Sequence, residues 1–470
     1  MNVTREEETL TTAVATAWES AQILAVVVAP TVAMGTVKRR PWAMRVGQAL
    51  HIDRIAIRWL QRIRRYRRCD ALLVRLPGRT LVVVLHHRAV SSILDETSIF
   101  TPDTHEKHAA LVKFQPHGAL ITRGPIRSRL RDFNEAALQI DEPIHELAGP
   151  VSRLVYDETQ ALMSRTLRTK RCDWTTFEEG WWKTVRSVVF GPHAKRDTDA
   201  MDTLDRLRRS ANWSYLTPRK WGRRDELGRR LQDHMAAAEK GSLAAYAQEG
   251  DPGNPDAWHQ VAHWLFAFDA AGMATYRTLA LLASHPRQRE LAVSQASARP
   301  LWEPQTLPYL RASVEESLRL WPTTPFLLRD TTQALEWGSA RVPAGTAFVI
   351  YTPLFHRDRE RLGYADAFVP DAWLDGRARS EPGIVPFSSG PERCPGRNVV
   401  LLVSAEVLAT MLCRAEFVPL RTPNLGPDAP LPATLDPFGI RFAVAALVDN
   451  DQAAATGGGK SLFGPGQRLH

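Results

Sequence analysis

The stretch PFSSGPERCPGRNVVLLVSAEVLATML, Pro386 to Leu412, carries the reading of the whole chain. Ser388-Ser389-Gly390-Pro391 is too rich in breakers for regular structure and predicts a loop. After Cys394-Pro395-Gly396 comes a long apolar-periodic stretch, which places the cysteine at or just before a helix N-terminus. Exposed amides and the helix dipole there stabilise negative charge and favour thiolate. A thiolate so placed serves as a nucleophile or a metal ligand, whereas a lone loop cysteine is ordinarily structural. Around it, Phe387, Gly390, Cys394 and Gly396 fall at 0, +3, +7 and +9.

Upstream lie three segments of matching character. LPYLRASVEESLRLWP places Glu316 and Arg319 at i, i+3 on one helix face, ahead of Trp321-Pro322 and a strand. Such a pair is either a surface ion pair worth a few tenths of a kcal/mol or a buried brace. HRDRERLGYADAFVPDAWLD, His356 to Asp375, connects that helix to the cysteine loop. WLFAFDAAGMATYRTLALLASHP, Trp264 to Pro286, is apolar nearly all round and predicts a buried helix. The residues Ala271, Gly272, Met273, Ala274 and Thr275 stand in its middle. A threonine there ordinarily hydrogen-bonds the carbonyl four residues back.

These motifs, in this order, resemble those of the cytochrome P450 family, and the likeness runs from about Leu72 to Val444. The resemblance implies a mainly α fold with small β-sheets, haem lying between the central helix and the helix after the cysteine loop. It implies haem b (iron protoporphyrin IX) ligated by Cys394, Phe387 beside the sulfur, and Gly390 and Gly396 allowing backbone to approach the ring. Glu316 and Arg319 become the buried pair that braces the loop. Ala271 and Gly272 would open a groove for dioxygen, with Thr275 hydrogen-bonding the oxygen. Arg329, in PFLLRDTT, and Arg131, in GPIRSRLRDFNEAAL, match positions that hold haem propionates, Arg127 standing where the family has Trp. Three positions depart from the family. Glu392 replaces the Arg or His at +5, Ala372 replaces the Arg that joins the Glu-Arg pair, and Ala274 replaces the acid before Thr275. Another donor is expected to compensate for Ala372, and Asp269 is six residues from Thr275.

The resemblance further implies a monooxygenase that places one atom of O2 into a small hydrophobic substrate. With no flavin or iron–sulfur segment in the sequence, electrons are expected from NAD(P)H through a separate ferredoxin or flavodoxin and its reductase. Two other readings stay open because of Ala274: a peroxide-using or non-oxygenating haem-thiolate enzyme, and a non-catalytic haem protein that binds a ligand. Phe114 to Leu120, Phe268 to Ala271, Thr324 to Leu328 and Leu435 to Gly439 are the expected pocket lining, largely apolar.

Composition fits this picture. The 470 residues are 44% hydrophobic and 24% charged, which excludes a disordered chain or a disulfide-stapled scaffold. Cys69, Cys172, Cys394 and Cys413 form no CxxC pair, and no signal-peptide cleavage pattern is present, so a cytoplasmic setting is expected. Between Lys38 and Arg68 stand eleven Lys or Arg against one acid, Asp53, more than the whole net charge of +9. Arg54, Arg58, Arg62 and Arg65 fall at helical spacing, as on a solvated face; a phosphate-rich or membrane partner is the alternative. No nucleic-acid motif accompanies the charge. The uncharged run Ser20 to Val37 would span about 27 Å as a helix, short for a membrane core, and is read either as an anchor or as a packed segment. Ala71–Val74 and Thr80–Leu85 around Pro77-Gly78 predict a hairpin, and Ala347–Ile350 another strand. The domain expectation is a 1–40 N-terminal extension with possible membrane contact, one 41–447 catalytic domain and a disordered 448–470 tail.

Overall fold

The computed structural model describes residues 10–420 and 422–447; the tail expected to be disordered, 448–470, lies outside them. Its centre is the helix Ala257–Ser284, whose residues from Phe268 to Leu282 are almost all buried. A helix apolar on every side has to be surrounded. Helices Pro308–Leu320 and Arg397–Arg414 pack on it, and Ala148–Thr169 and Trp174–Phe190 complete the bundle. The Arg397–Arg414 helix follows Pro395-Gly396 and ends where Ala415 turns extended.

A six-stranded sheet flanks the bundle. Its strands are β1 (Thr12–Val14), β2 (Ala71–Leu76), β3 (Arg79–Val84), β4 (Phe100–Thr101), β5 (Phe326–Thr331) and β6 (Ala347–Tyr351), in the order β1-β2-β3-β6-β5-β4. The expected hairpin is present: Leu76 pairs with Arg79 across Pro77-Gly78, and Gly78 takes φ +74°. β6 includes the strand expected at Ala347–Ile350, and β5 carries Arg329 opposite Phe348.

The N-terminal segment differs from the expected extension. From Leu10 onward it belongs to the body, because both of its ends are bonded into it. β1 pairs in parallel with β2 at Thr12↔Ala71. Helical turns then run from Ala17 to Met34 through a π segment at Leu24–Val28, begun by a Thr16–Glu19 capping box. Ile23, Val27, Thr31 and Met34 form its buried face, while Ala21, Ala25 and Ala29 stay exposed. Beyond it, Asn212 accepts hydrogen bonds from the Val37 and Lys38 amides and donates to the Lys38 carbonyl. The helix Ile52–Arg67 buries Ala56, Ile57, Leu60 and Ile63 and turns Arg58, Arg62 and Arg65 to solvent. The basic stripe lies along the outer face of this helix.

Candidate active site

The loop before the Arg397–Arg414 helix closes on itself: the Cys394 amide donates to the Phe387 carbonyl at 2.8 Å. Gly390 sits at φ +67°, and a Cβ there would come 2.5 Å from the Leu94 carbonyl oxygen, so only glycine fits. At Gly396 a Cβ would meet only Leu138, at 3.7 Å, which leaves that face open. Burial pushes the Cys394 thiol pKa up, against the opposing pull of the Gly396 and Arg397 amides and the Arg131 and Arg397 charges. Desolvation and the helix terminus thus pull in opposite directions at this sulfur. The four cysteines are all free.

Beneath the loop lies the pair expected from the spacing. Glu316 and Arg319 are fully buried and joined by two hydrogen bonds of 2.7 Å. Arg319 also donates to the carbonyls of His356 (2.8 Å), Ala365 (3.0 Å), Tyr364 (3.2 Å) and Ala367 (2.9 Å). Glu316 accepts from the Val369 amide at 2.9 Å and from Trp373 Nε1 at 2.8 Å. Trp373 is thus the donor that compensates for Ala372, one residue along and neutral. The brace reaches the cysteine loop twice. His356 Nε2 accepts from the Val385 amide at 2.9 Å, burial holding that imidazole neutral with its pKa down to about 3. Glu315, also buried, accepts from Arg397 at 2.6 Å and Arg379 at 3.0 Å.

Four cations converge on the loop's other side. Arg131 donates to the Arg393 carbonyl at 2.7 Å, and Arg329 to Ser388 Oγ at 3.2 Å, with its Nε buried and without a partner. Arg127 pairs with Glu392, and Arg131 lies 3.8 Å from the same carboxylate. Lys107, not singled out from sequence, donates to the Pro102 and Leu328 carbonyls, both at 3.1 Å. Burial and the neighbouring Arg127 bring the Arg329 pKa down to about 10, and burial with Arg329 and Arg127 lowers that of Lys107. Two carboxylates, Glu392 and the Glu135 paired with Arg131, stand among these four cations, so the cluster still has charge to spare for further anions. No motif marks Lys107; only the approach of its helix to β5 puts it there.

On the central helix, Thr275 is fully buried and donates to the Ala271 carbonyl at 2.8 Å, the local back-bond expected of a helical threonine. Gly272 serves a helix contact. A Cβ there would lie 2.8 Å from Trp181 Nε1, and that indole donates to the Phe268 carbonyl at 2.9 Å. The missing side chain makes room for the neighbouring helix. Asp269 is held by Arg208 at 2.7 Å and Lys38 at 3.0 Å, and these charges keep its carboxyl well below the usual range. It is a fixed counter-ion, not a proton donor for Thr275.

A planar, dianionic ring with a metal over the sulfur suits this donor set. A thiol stands at a helix start, one glycine face is open, surplus cations adjoin it, and the Arg329 Nε lacks a partner. Comparison with known proteins agrees. The cytochrome P450 family model matches residues 277–430, which include Glu316, Arg319 and Cys394 and begin just past Thr275. A probable cytochrome P450 4s3 of Drosophila melanogaster is 30% identical over 187 residues, 40% of this chain and 38% of that one. Cytochrome P450 714C3 of Oryza sativa subsp. japonica is 29% identical over 222 residues, 45% and 42% of the two chains. Cyclooctat-9-en-7-ol 5-monooxygenase of Streptomyces melanosporofaciens is 26% identical over 311 residues, 62% and 66%. The chain spans about two-fifths of the length of the fly and rice relatives. Fold and site suit a haem-thiolate protein, and over residues 277–430 the chain is similar to the cytochrome P450 family. Members of that family use haem held by a cysteine thiolate.

Proposed function

We propose that this chain is a monooxygenase whose Cys394 thiolate holds the iron of haem b, acting on a small hydrophobic substrate. The observation that carries the reading is the continuous buried brace from Glu316 and Arg319 through His356 to the amide of Val385, nine residues before Cys394. The bound haem supplies dioxygen activation, with thiolate electron density favouring O–O cleavage. Arg131, Arg329, Arg127 and Lys107 hold its carboxylates. Phe387 packs beside the sulfur, and Gly396 leaves space for the ring edge. Ala271 and Gly272 belong to the oxygen side of the pocket, Gly272 through the packing of Trp181. Thr275 moves a proton at its Oγ1 by releasing the Ala271 carbonyl. Electrons come from NAD(P)H through a ferredoxin or flavodoxin and its reductase, whose acidic surfaces suit an arginine-rich face.

The carbon monoxide difference spectrum of the reduced protein tests the ligand. A thiolate-type Soret band in the wild type, lost in Cys394→Ala with haem retained or absent, is expected; a band that survives the substitution sinks the reading. Ala274 and the sequestered Asp269 favour one second reading, turnover driven by hydrogen peroxide. Dependence on O2, NAD(P)H and a redox pair supports monooxygenation, whereas efficient turnover with peroxide alone supports the other.

A cytoplasmic body touching a membrane through its N-terminus is part of the same proposal. The Ala17–Met34 segment has the length and apolarity to cross a membrane, with a third of it buried, and Trp18 and Trp42 are 72% and 65% exposed. Flotation with anionic vesicles, reduced in Trp18→Ser/Trp42→Ser, checks it; equal flotation of both proteins removes that contact.

A further inference from the structure

Away from the cysteine loop, two histidines and a carboxylate from separate elements meet at the start of the central helix. Asp256 is the N-cap residue of Ala257–Ser284, yet its side chain caps no helix amide. Instead its Oδ1 lies 2.7 Å from Nδ1 of His117, in the loop before the short turn Ala119–Ile121, and its Oδ2 faces Arg129 at 3.5 Å. His259, within the first helical turn, sits under the same loop, its ring centroid 4.6 Å from that of His117. One ligand atom from each of the three lies within 4.8 Å of the others. His259 is 95% buried, and its Nδ1 has no hydrogen-bond partner. Trp258 lies against the His259 ring at 3.6 Å.

Two imidazoles and one carboxylate are the donor set of a borderline divalent metal, Zn2+, Ni2+ or Cu2+; Mg2+ and Ca2+ prefer oxygen alone. Ligand bonds of about 2.0–2.2 Å need only a small closure of the cluster. His259 offers a buried, unpartnered nitrogen. Asp256 keeps Oδ1 on this side while Arg129 faces the other oxygen. His117 is largely exposed, so the remaining coordination positions open to water. The backbone is already registered for such a site. Gln260 donates to the His117 carbonyl at 2.9 Å and accepts from the Ala119 amide at 3.2 Å, seating the loop on the helix.

We propose that His117, Asp256 and His259 bind a divalent transition metal of the zinc class and clamp the 115–118 loop onto the central helix. The clamp has a consequence for access to the interior. Gln115, two residues from His117, bonds His263 at 3.0 Å, and Phe114 packs edge-on against Phe266, so the loop reaches along two turns of the helix. Metal binding stiffens that stretch. The site shares no residue with the cysteine loop, and the inference stands whether or not the haem reading holds.

Equilibrium dialysis of the purified holoprotein against zinc chloride, with metal analysis, tests it. One zinc per chain is expected in the wild type. His117→Ala should weaken binding by at least about tenfold, the cost commonly seen for outer-shell partners alone, and Asp256→Asn should do likewise. His108→Ala, exposed but outside the cluster, should bind as the wild type does. Zinc should also slow amide hydrogen exchange across residues 115–121 of the wild type and leave His117→Ala unchanged. No saturable zinc binding by the wild type, equal affinity in His117→Ala, or exchange indifferent to zinc would each overturn the proposal.

Discussion

Trp373 shows how one residue restores a site that the sequence leaves incomplete. Glu316 is fully buried, and its carboxylate accepts four hydrogen bonds, one of them from the Trp373 indole. An aromatic N–H on a rigid ring replaces a guanidinium without adding a second buried charge. Trp373→Phe keeps the shape and removes the donor, so it should destabilise by about 1–3 kcal/mol, read in urea unfolding, and loosen haem retention. An unchanged midpoint would remove Trp373 from the brace. At Thr275 the proposed oxygen side rests on a hydroxyl bonded to the Ala271 carbonyl. Thr275→Ala should divert more reducing equivalents into free peroxide, measured as peroxide per NAD(P)H consumed; unchanged coupling would take Thr275 out of the proton path. The Glu-Arg pair was legible because a three-residue spacing on an apolar helix is a local property. Trp373 was not, because which neighbour fills an empty position depends on side-chain direction in the packed interior.

At the scale of elements, helices buried on all sides hold polar groups that later packing must satisfy. Glu406, on the Arg397–Arg414 helix, meets Ser152 of the Ala148–Thr169 helix, and desolvation raises its pKa to about 8. The folded state thus keeps a proton that the unfolded chain gives up near its ordinary value of 4.5. The associated stability is whole below that value and is lost as pH rises through about 8. Glu406→Gln, which cannot ionise, should match the wild type near pH 5 and exceed it above pH 8 by roughly 3–5 kcal/mol, read by denaturant melts across that range. An advantage independent of pH would contradict this account. Periodicity exposed these helices and the Pro77-Gly78 hairpin. It did not show that Gly272 serves the indole of Trp181, since a glycine's neighbour is chosen by the crossing of two helices.

Across the whole molecule, the N-terminal segment is tied in by charge. Lys38 meets Asp205 at 2.8 Å and Asp269 at 3.0 Å, and Arg208, 2% exposed, bonds both Asp269 and the Val37 carbonyl. Asp269→Asn would leave a buried guanidinium without its counter-ion and should cost about 3–5 kcal/mol, with earlier proteolysis between residues 10 and 40; wild-type stability would deny the tie. Sequence alone determined the helical class, the cysteine loop, the Glu316–Arg319 pair and the hairpin, because each depends on spacing along a few turns of chain. Tertiary structure decided which indole completes the brace, that Lys107 joins the cationic cluster, that Asp269 is spent on Arg208 and Lys38, and that His117 meets His259. Those outcomes depend on contacts between residues dozens to hundreds of positions apart, where desolvation and charge pairing act only after the elements have packed.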